Sequence, residues 1–258
     1  MAVSSVSTSG LSGTKAKKLS LLGLSIPALV HFLVIAGGGG STFGRGGAGG
    51  YRTSFAGGSG YSGRNSSLLN AIEPSEGSTY TVTVGGGGAA GASVYRGSNG
   101  SNSVFASHTS SGGGAGGGSA NHTEKTGKSG GAGGGAGYYY GGGAGGSGST
   151  GQGFDGASTA ADFQTGDGGG AGGTPTGLAS TITGISVTRA VGGASGTPQL
   201  ANTGNGAIST RQNGNSGVVI LRFAGKQPSV SAGLTYSTSK DGANTVMQFT
   251  AGTGTVTW

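Results

Sequence analysis

The sequence predicts a mostly irregular and β chain: packed polyglycine-II helices capped by short β-strands, with a C-terminal β-hairpin module. Glycine supplies 66 of the 258 residues, and apolar strand-like runs pass directly into glycine runs with no turn residue between them. This junction recurs, as "FLVIAGGGG" at residues 32–40, "YTVTVGGGG" at 80–88 and, more loosely, "SVTRAVGG" at 186–193. A flexible linker does not need such repetition. We therefore interpret the glycine runs as packed structure.

Backbone packing is the one source of order that this composition offers. Each ordered glycine costs about 0.5–1 kcal/mol more than alanine, and aromatic residues make up only 7% of the chain. Polyproline-II geometry has about three residues per turn and no internal hydrogen bonds, so glycine chains without Cβ atoms can exchange amide hydrogen bonds side by side. "GGGAGGG" at 112–118 and "GGAGGGAG" at 130–137 suit this packing. Collagen is excluded because no strict G-X-Y repeat is present.

Residues 1–29 are interpreted as an N-terminal attachment segment that docks on a partner. "KAKK" followed by the apolar residues 19–36 has the order of a secretory signal. Fourteen mostly polar residues precede the lysines, however, and Pro27 and His31 interrupt the apolar stretch. A transmembrane helix needs about 20 strongly apolar residues, which this segment lacks.

Residues 30–225 form the predicted glycine-rich body. Near-continuous apolar runs at 30–36 and 217–225 are typical of strands buried on both faces, and we expect them to lie close together and clamp the ends of the body. Between these runs, strands are predicted at 79–84 and 103–107, and weaker patterns predict strands at 179–190.

Residues 226–258 form the predicted C-terminal β-hairpin module. Polar and apolar residues alternate there around "KDGAN" at 240–244, which predicts a turn, and residues 252–254 suggest a second turn. Within the body, "LLNAIEPSEGS" at 68–78 predicts a short helical turn or a loop that stops at Pro74.

Charge and residue types exclude several functions. The net charge is +7, but Lys15, Lys17 and Lys18 form the single basic cluster, so the pattern does not favour nucleic-acid binding. The chain has no cysteine, and its three histidines show no metal-ligand spacing. We expect no metal, no cofactor and no enzymatic activity.

Two motifs resemble catalytic signatures but do not meet their requirements. In "NHTEKTGKSGG" at 121–131 the Gly-Lys-Ser resembles a P-loop, yet His122 stands where its first glycine is required. Asp155, Asp162 and Asp167 lie in the loop-like stretch "GFDGASTAADFQTGDGGG". A glycosidase needs two carboxylates in a rigid pocket, and a loop does not supply one.

The candidate binding residues are aromatic and polar side chains that glycine packing cannot enclose. "GYYYGGG" at 137–143 must project its tyrosines, and exposed tyrosine is an effective contact residue. The alternatives are that these rings cover the edge of the stack or meet a neighbouring subunit, and that the polar residues simply form a solvated loop. The candidate receptor-binding residues are Tyr138, Tyr139, Tyr140, His122, Lys125, Lys128, Phe154 and Phe163.

Four blocks in a fixed order carry a family resemblance. "HFLVIAGGGGS", "TYTVTVGGGG", "SNSVFASHTSSGGGAGGG" and "SGVVILRFAG", across residues 30–225, resemble a glycine-rich domain of bacteriophage tail proteins. They also resemble the glycine-rich tip adhesins of long tail fibres in T-even-like phages. The C-terminal "VMQFTAGTGTVTW" is similar to a hairpin that commonly precedes the glycine body in phage proteins, whereas here it ends the sequence.

The resemblance implies a polyglycine-II stack whose variable loops touch a host receptor, within the virion. The expected partners are other tail-fibre proteins, through the N-terminal segment, and a host surface glycan or outer-membrane protein. Phage fibres are commonly trimers, so a homo-oligomer is an open expectation. The alternatives are a purely structural virion component, such as a capsid decoration or fibre-connecting protein, and an ice-binding polyglycine bundle.

Overall fold

The computed structural model describes residues 29–119, 121, 123–196, 200–208 and 210–258, and within them the regular structure is almost entirely β. Among these described residues, one 3-10 turn is found, at Gly63–Asn65. The strands are β1 His31–Ile35, β2 Tyr51–Thr53, β3 Thr79–Thr83, β4 Ser103–Phe105, β5 His108–Ser110, β6 Leu178–Ser180, β7 Val187–Arg189, β8 Val218–Ala224, β9 Ser229–Val230, β10 Leu234–Asp241 and β11 Asn244–Thr257.

Nine strands form one antiparallel sheet in the order β2-β1-β8-β11-β3-β4-β5, with β10 and β9 also paired to β11. β1 pairs with β8 from His31 opposite Arg222 to Ile35 opposite Val218. The expected proximity of the two apolar runs is therefore confirmed. β6 and β7 form a separate two-stranded sheet.

The sheet has a hydrophobic cluster on each face because its central strands are apolar at successive positions. Phe32 and Val34 of β1 point into one cluster, and Leu33 and Ile35 point into the other. All four side chains are fully buried.

The glycine-rich segments are continuations of these strands. β1 continues into residues 37–42 and β3 into 85–91, while residues 45–50 lead into β2 and 212–217 lead into β8. No turn or bend separates these four strands from the adjoining glycine-rich segments. We refer to the glycine-rich segments within residues 37–217 as the glycine region.

Hydrogen bonds in the glycine region repeat every three residues. Along residues 37–41 the amides donate in turn to three different segments, and amides three apart donate to the same one. The bonds are Gly37 to Ser101 (3.0 Å), Gly38 to Asn215 (2.9 Å), Gly39 to Gly47 (2.8 Å), Gly40 to Ser98 (3.0 Å) and Ser41 to Gln212 (2.9 Å).

The carbonyl groups of the same segment follow the same repeat with three further neighbours. The amides that donate to these carbonyls, each followed by its acceptor residue, are Gly113 to Gly37 (2.8 Å), Gly88 to Gly38 (2.8 Å), Ala207 to Gly39 (3.0 Å), Gly116 to Gly40 (3.0 Å), Gly91 to Ser41 (3.1 Å) and Arg211 to Thr42 (3.2 Å). Segment 37–42 is thus surrounded by six hydrogen-bonded stretches of chain. This arrangement satisfies its buried backbone without a sheet ladder.

Close backbone contact explains why glycine occupies most of these positions. A Cβ atom on Gly39 would collide with the carbonyl oxygen of Gly114, whereas one on Gly86 would meet nothing within 4 Å. Alanine occurs where a methyl group has room: Ala48, Ala132 and Ala171 are fully buried and pack into the sheet's second cluster.

The C-terminal hairpin confirms one expected turn and not the other. β10 and β11 pair around Asp241 opposite Asn244, as the "KDGAN" pattern predicts. The prediction of a second turn at 252–254 is wrong, because β11 runs through these residues. Gly252 has a positive φ (95°) and lies beside a register shift in the pairing of β10 with β11. β11 pairs with both β8 and β3, so the hairpin shares the sheet of the glycine-rich body.

Two other sequence expectations have clear outcomes. Residues 68–78 contain no helical turn, and the chain there is a loop with a turn at residues 76–77. The predicted attachment segment lies, except for Leu29, outside the described residues. Nowhere in the described chain is there a helix long and apolar enough to cross a membrane.

Candidate loop-end binding surface

Four aromatic side chains meet where loops leave the glycine region. Phe43 follows segment 37–42, Tyr138 and Tyr140 follow segment 130–137, and Phe163 lies in the loop before Gly166. We call these residues the aromatic cluster. The ring centroids are separated by 5.8 Å for Phe43–Tyr138, 5.2 Å for Tyr138–Phe163 and 6.5 Å for Tyr140–Phe163.

The aromatic cluster is largely open to solvent. Tyr138, Tyr140 and Phe163 retain 41%, 66% and 54% of their accessible surface. Contiguous exposed aromatic surface of this kind is typical of interaction sites. The rings are exposed because the adjoining backbone has no space for them between closely packed segments.

Local hydrogen bonds hold the two outer loops together. The Phe163 amide donates to the Tyr139 carbonyl (3.1 Å), and the Gly141 amide donates to Oδ1 of Asp162 (2.6 Å). Phe163 has a positive φ of 56°, a conformation that bulky residues rarely adopt. The surrounding contacts therefore fix the direction in which this ring projects.

Lys125 joins the cluster from a third loop. Its Nζ lies 5.7 Å from the centroid of the Tyr139 ring and donates to the Tyr140 carbonyl (3.3 Å). The structure thus brings together five of the eight sequence-predicted residues: Tyr138, Tyr139, Tyr140, Lys125 and Phe163.

Two of the remaining candidates lie elsewhere. Phe154 faces the guanidinium of Arg64 at 5.6 Å and makes none of the ring contacts of the aromatic cluster. The Lys128 ammonium donates to the Gly97 carbonyl (3.1 Å), so this side chain links two backbone segments. His122 lies outside the described residues.

Charged pairs flank the loops that carry the aromatic cluster. Arg96 lies 3.4 Å from Glu124, and Arg45 forms an ion pair with Asp167. These pairs tie loops together beside the aromatic surface. Elsewhere, a hydrogen bond from the Gly148 amide, helped by Arg64, holds the pKa of Asp155 below its usual value.

Sequence reasoning missed Phe43 and the loop-holding role of Asp162. Phe43 carries the same signal as the tyrosines, an aromatic residue inside a glycine-rich run ("GGGGSTFGRGG"). That signal could have identified it. The pairing of Asp162 with the Gly141 amide depends on the approach of two loops, which spacing along the chain does not show.

Two hollows of about 450 and 420 Å³ lie beside the sheet, and no Asp or Glu side chain lines either of them. In the described parts of the chain, no three His, Asp or Glu side chains are grouped to hold a metal ion. Comparison with protein-family models, curated proteins and solved structures finds no match to this chain.

Proposed function

We propose that this chain is a bacteriophage virion protein that acts as a tail-fibre tip adhesin. The aromatic cluster, presented at loop ends on a polyglycine-II scaffold, would bind a host surface glycan or outer-membrane protein. The observation that carries the proposal is the meeting of Phe43, Tyr138, Tyr140 and Phe163 in one exposed patch. The block order that resembles phage tail proteins supports the virion context.

The hydrogen-bond pattern supports the polyglycine-II scaffold. Polyglycine-II helices have about three residues per turn, which accounts for a repeat of three residues in hydrogen-bond direction. The six stretches of chain around segment 37–42 fit helices packed side by side. Such a scaffold is held by backbone groups, so its loops can change in sequence without altering its packing.

Binding through this surface would be reversible and largely apolar. Tyrosine rings bury a large area at low cost in side-chain entropy, and their hydroxyl groups can bond to a polar receptor. Lys125 adds a positive charge at the edge of the patch. In this proposal the N-terminal segment attaches the protein to the fibre.

The rival function is a purely structural virion component, and one observation favours it. Tyr138 stacks on Phe43 with an interplanar angle of 23°, so part of its ring already packs within the chain. Rings that finish the edge of a scaffold, or meet a second subunit, would make the same contact.

Binding to bacterial cells distinguishes these functions. The experiment compares the purified protein with a variant carrying Tyr138→Ser, Tyr139→Ser and Tyr140→Ser, on a panel of strains and on their extracted surface polysaccharide. Tyr61→Ser is the matched control, because Tyr61 is also exposed (47%) and lies outside the aromatic cluster. We expect saturable binding that the triple variant loses and the control retains.

The contrary result is equally informative. A folded protein that binds neither cells nor polysaccharide across the panel would support virion architecture. Binding that survives the triple substitution would place the receptor contact on another surface.

A further inference from the structure

A buried arginine, Arg189, has no counterion in the described chain. It is the last residue of strand β7, and only 5% of its surface is accessible. Its Nη1 atom is buried and has no hydrogen-bond partner among the described residues. Buried charged side chains are normally paired with an opposite charge, so this one points to a partner from outside the chain.

The pairing of β6 with β7 places Arg189 beside Tyr51. Arg189 stands opposite Leu178, which packs into the sheet's second cluster together with Tyr51. Ser180, two residues further along β6, lies on the same face as Leu178. Tyr51 and Ser180 each retain 1% of their accessible surface. We call Arg189, Tyr51 and Ser180 the buried polar cluster.

The pKa of Tyr51 reflects the proximity of these three groups. Burial raises this pKa to about 12, while a hydrogen bond with Ser180 and the positive charge of Arg189 oppose the shift. The Tyr51 hydroxyl therefore remains protonated at neutral pH and does not supply a negative charge to Arg189.

None of the chain's carboxylate side chains neutralises Arg189. All seven lie in described residues, and none forms an ion pair with Arg189. Asp162 accepts from the Gly141 amide, and Glu73 and Glu76 are exposed. The other four pair with the remaining ion-pair partners, Arg45, Arg64, Arg96 and Arg222.

Arginine does not become neutral by losing its proton, as a buried lysine can. Burial lowers the pKa of Arg189, and the nearby Tyr51 opposes this change. The guanidinium starts so far above neutral pH, however, that it stays charged in proteins. An uncompensated buried charge is strongly destabilising, and an anion taken up from solution removes that cost.

The two hydroxyl groups of the buried polar cluster leave one proton available for an anion. Oγ of Ser180 accepts from the Ile182 amide (3.2 Å), and the Tyr51 and Ser180 hydroxyls share one hydrogen bond between them. Each hydroxyl carries one proton, so one of the two protons is not used in that bond. The cluster thus combines a positive charge with a further hydrogen-bond donor.

We infer that the buried polar cluster binds a small monovalent anion of the halide class, such as chloride. One guanidinium balances one negative charge. Neither of the two hollows beside the sheet is lined by Arg189, Tyr51 or Ser180. The site is therefore enclosed, which suits an anion of one atom better than a phosphate or a carboxylate.

The anion joins two strands of separate sheets, because Arg189 belongs to β7 and Tyr51 to β2. It accepts from Nη1 of Arg189 and from the available hydroxyl proton. No residue of the aromatic cluster takes part, so the anion site does not depend on the adhesin proposal.

The dependence of folding on chloride tests this site. Urea unfolding of the full chain, followed by the fluorescence of Trp258, is measured at neutral pH and constant ionic strength while sodium chloride replaces sodium gluconate. Gluconate is too large for an enclosed site. Arg189→Met removes the charge and keeps a long, unbranched side chain. Arg211→Met is the matched control, because Arg211 is exposed.

We expect the folding equilibrium constant of the wild-type protein and of Arg211→Met to rise with chloride. Above the dissociation constant of the site, the rise approaches about tenfold for each tenfold increase in chloride. Arg189→Met should show no such rise, and in gluconate it should be at least as stable as the wild type. A chloride dependence that Arg189→Met retains would overturn the inference.

Diffraction from crystals of the wild-type protein grown in sodium bromide gives a second readout, which holds even if Arg189→Met does not fold. We expect an anomalous bromide peak beside Nη1 of Arg189. A water molecule in that position, or bromide at exposed basic side chains alone, would show that the cluster does not bind a halide.

Discussion

The sheet and the glycine region order the same chain in opposite ways. In the sheet, large side chains such as Phe32, Leu221 and Phe249 fill the interior. In the glycine region the buried material is backbone, with alanine as the largest frequent side chain. The sheet should therefore be destabilised most by the removal of side-chain atoms, and the glycine region most by their addition.

The largest expected effect is the removal of a sheet side chain. Phe32 is fully buried, and its ring lies 5.5 Å from Phe105 and 4.7 Å from His108. Phe32→Ala should lower the free energy of unfolding by about 3–5 kcal/mol. Urea unfolding followed by the fluorescence of the single tryptophan, Trp258, measures this change. A loss below about 1 kcal/mol would show that the sheet core does not govern stability.

The converse experiment adds one methyl group to the glycine region. Gly39→Ala should cost about 2–3 kcal/mol, because the new Cβ would collide with the Gly114 carbonyl. Gly86→Ala, where nothing lies within 4 Å, is the matched control and should leave stability within about 1 kcal/mol of the wild type. Equal effects of the two substitutions in urea unfolding would contradict backbone packing as the source of order.

A pH titration examines the boundary between the two regions, where Tyr51 begins β2. Burial raises the pKa of Tyr51 to about 12, although Ser180 and Arg189 partly oppose the shift. As pH rises from about 10, the unfolded state loses this proton first. Stability that is present below pH 10 should therefore fall by up to about 3 kcal/mol by pH 12.

Tyr51→Phe isolates this contribution, because the variant keeps the ring but cannot ionise there. Unfolding free energies of both proteins are measured between pH 9 and 12. We expect the difference between them to change with pH across this window. A constant difference would mean that Tyr51 ionises equally easily in the folded and unfolded states.

The smallest expected effect is the removal of one methyl group from the glycine region. Ala132 is fully buried and packs against the sheet's second cluster. Ala132→Gly should cost about 1–2 kcal/mol, from the lost methyl burial and the added backbone entropy of glycine. Urea unfolding provides the measurement, and a gain in stability would show that the methyl group is not accommodated.

Sequence patterns could predict the strands because apolar runs are local signals. β1, β3 and β8 lie where the runs at 30–36, 79–84 and 217–225 placed them. The length of β11 could not be predicted in the same way, because glycines such as Gly252 and Gly254 usually mark turns in a sequence. Here Gly252 adopts a positive φ beside a register shift in the pairing with β10, and the strand continues to pair with β3.

The binding surface could be predicted in part for a related reason. An aromatic residue in a glycine run must project from it, so the tyrosines were identifiable from their neighbours alone. The contact of Phe43 with Tyr138 and the contact of Phe163 with both tyrosines depend on how distant segments are ordered in space.

The three-residue hydrogen-bond repeat makes the packing of the glycine region depend on the number of residues in each segment. Inserting three residues into segment 37–42 would return each later amide to its own neighbouring segment, with the excess length absorbed in the loop. Inserting one or two would turn each later amide toward the wrong neighbour and leave buried groups unpaired. Length changes in this protein should therefore be tolerated in triplets within the segments, and freely within the loops.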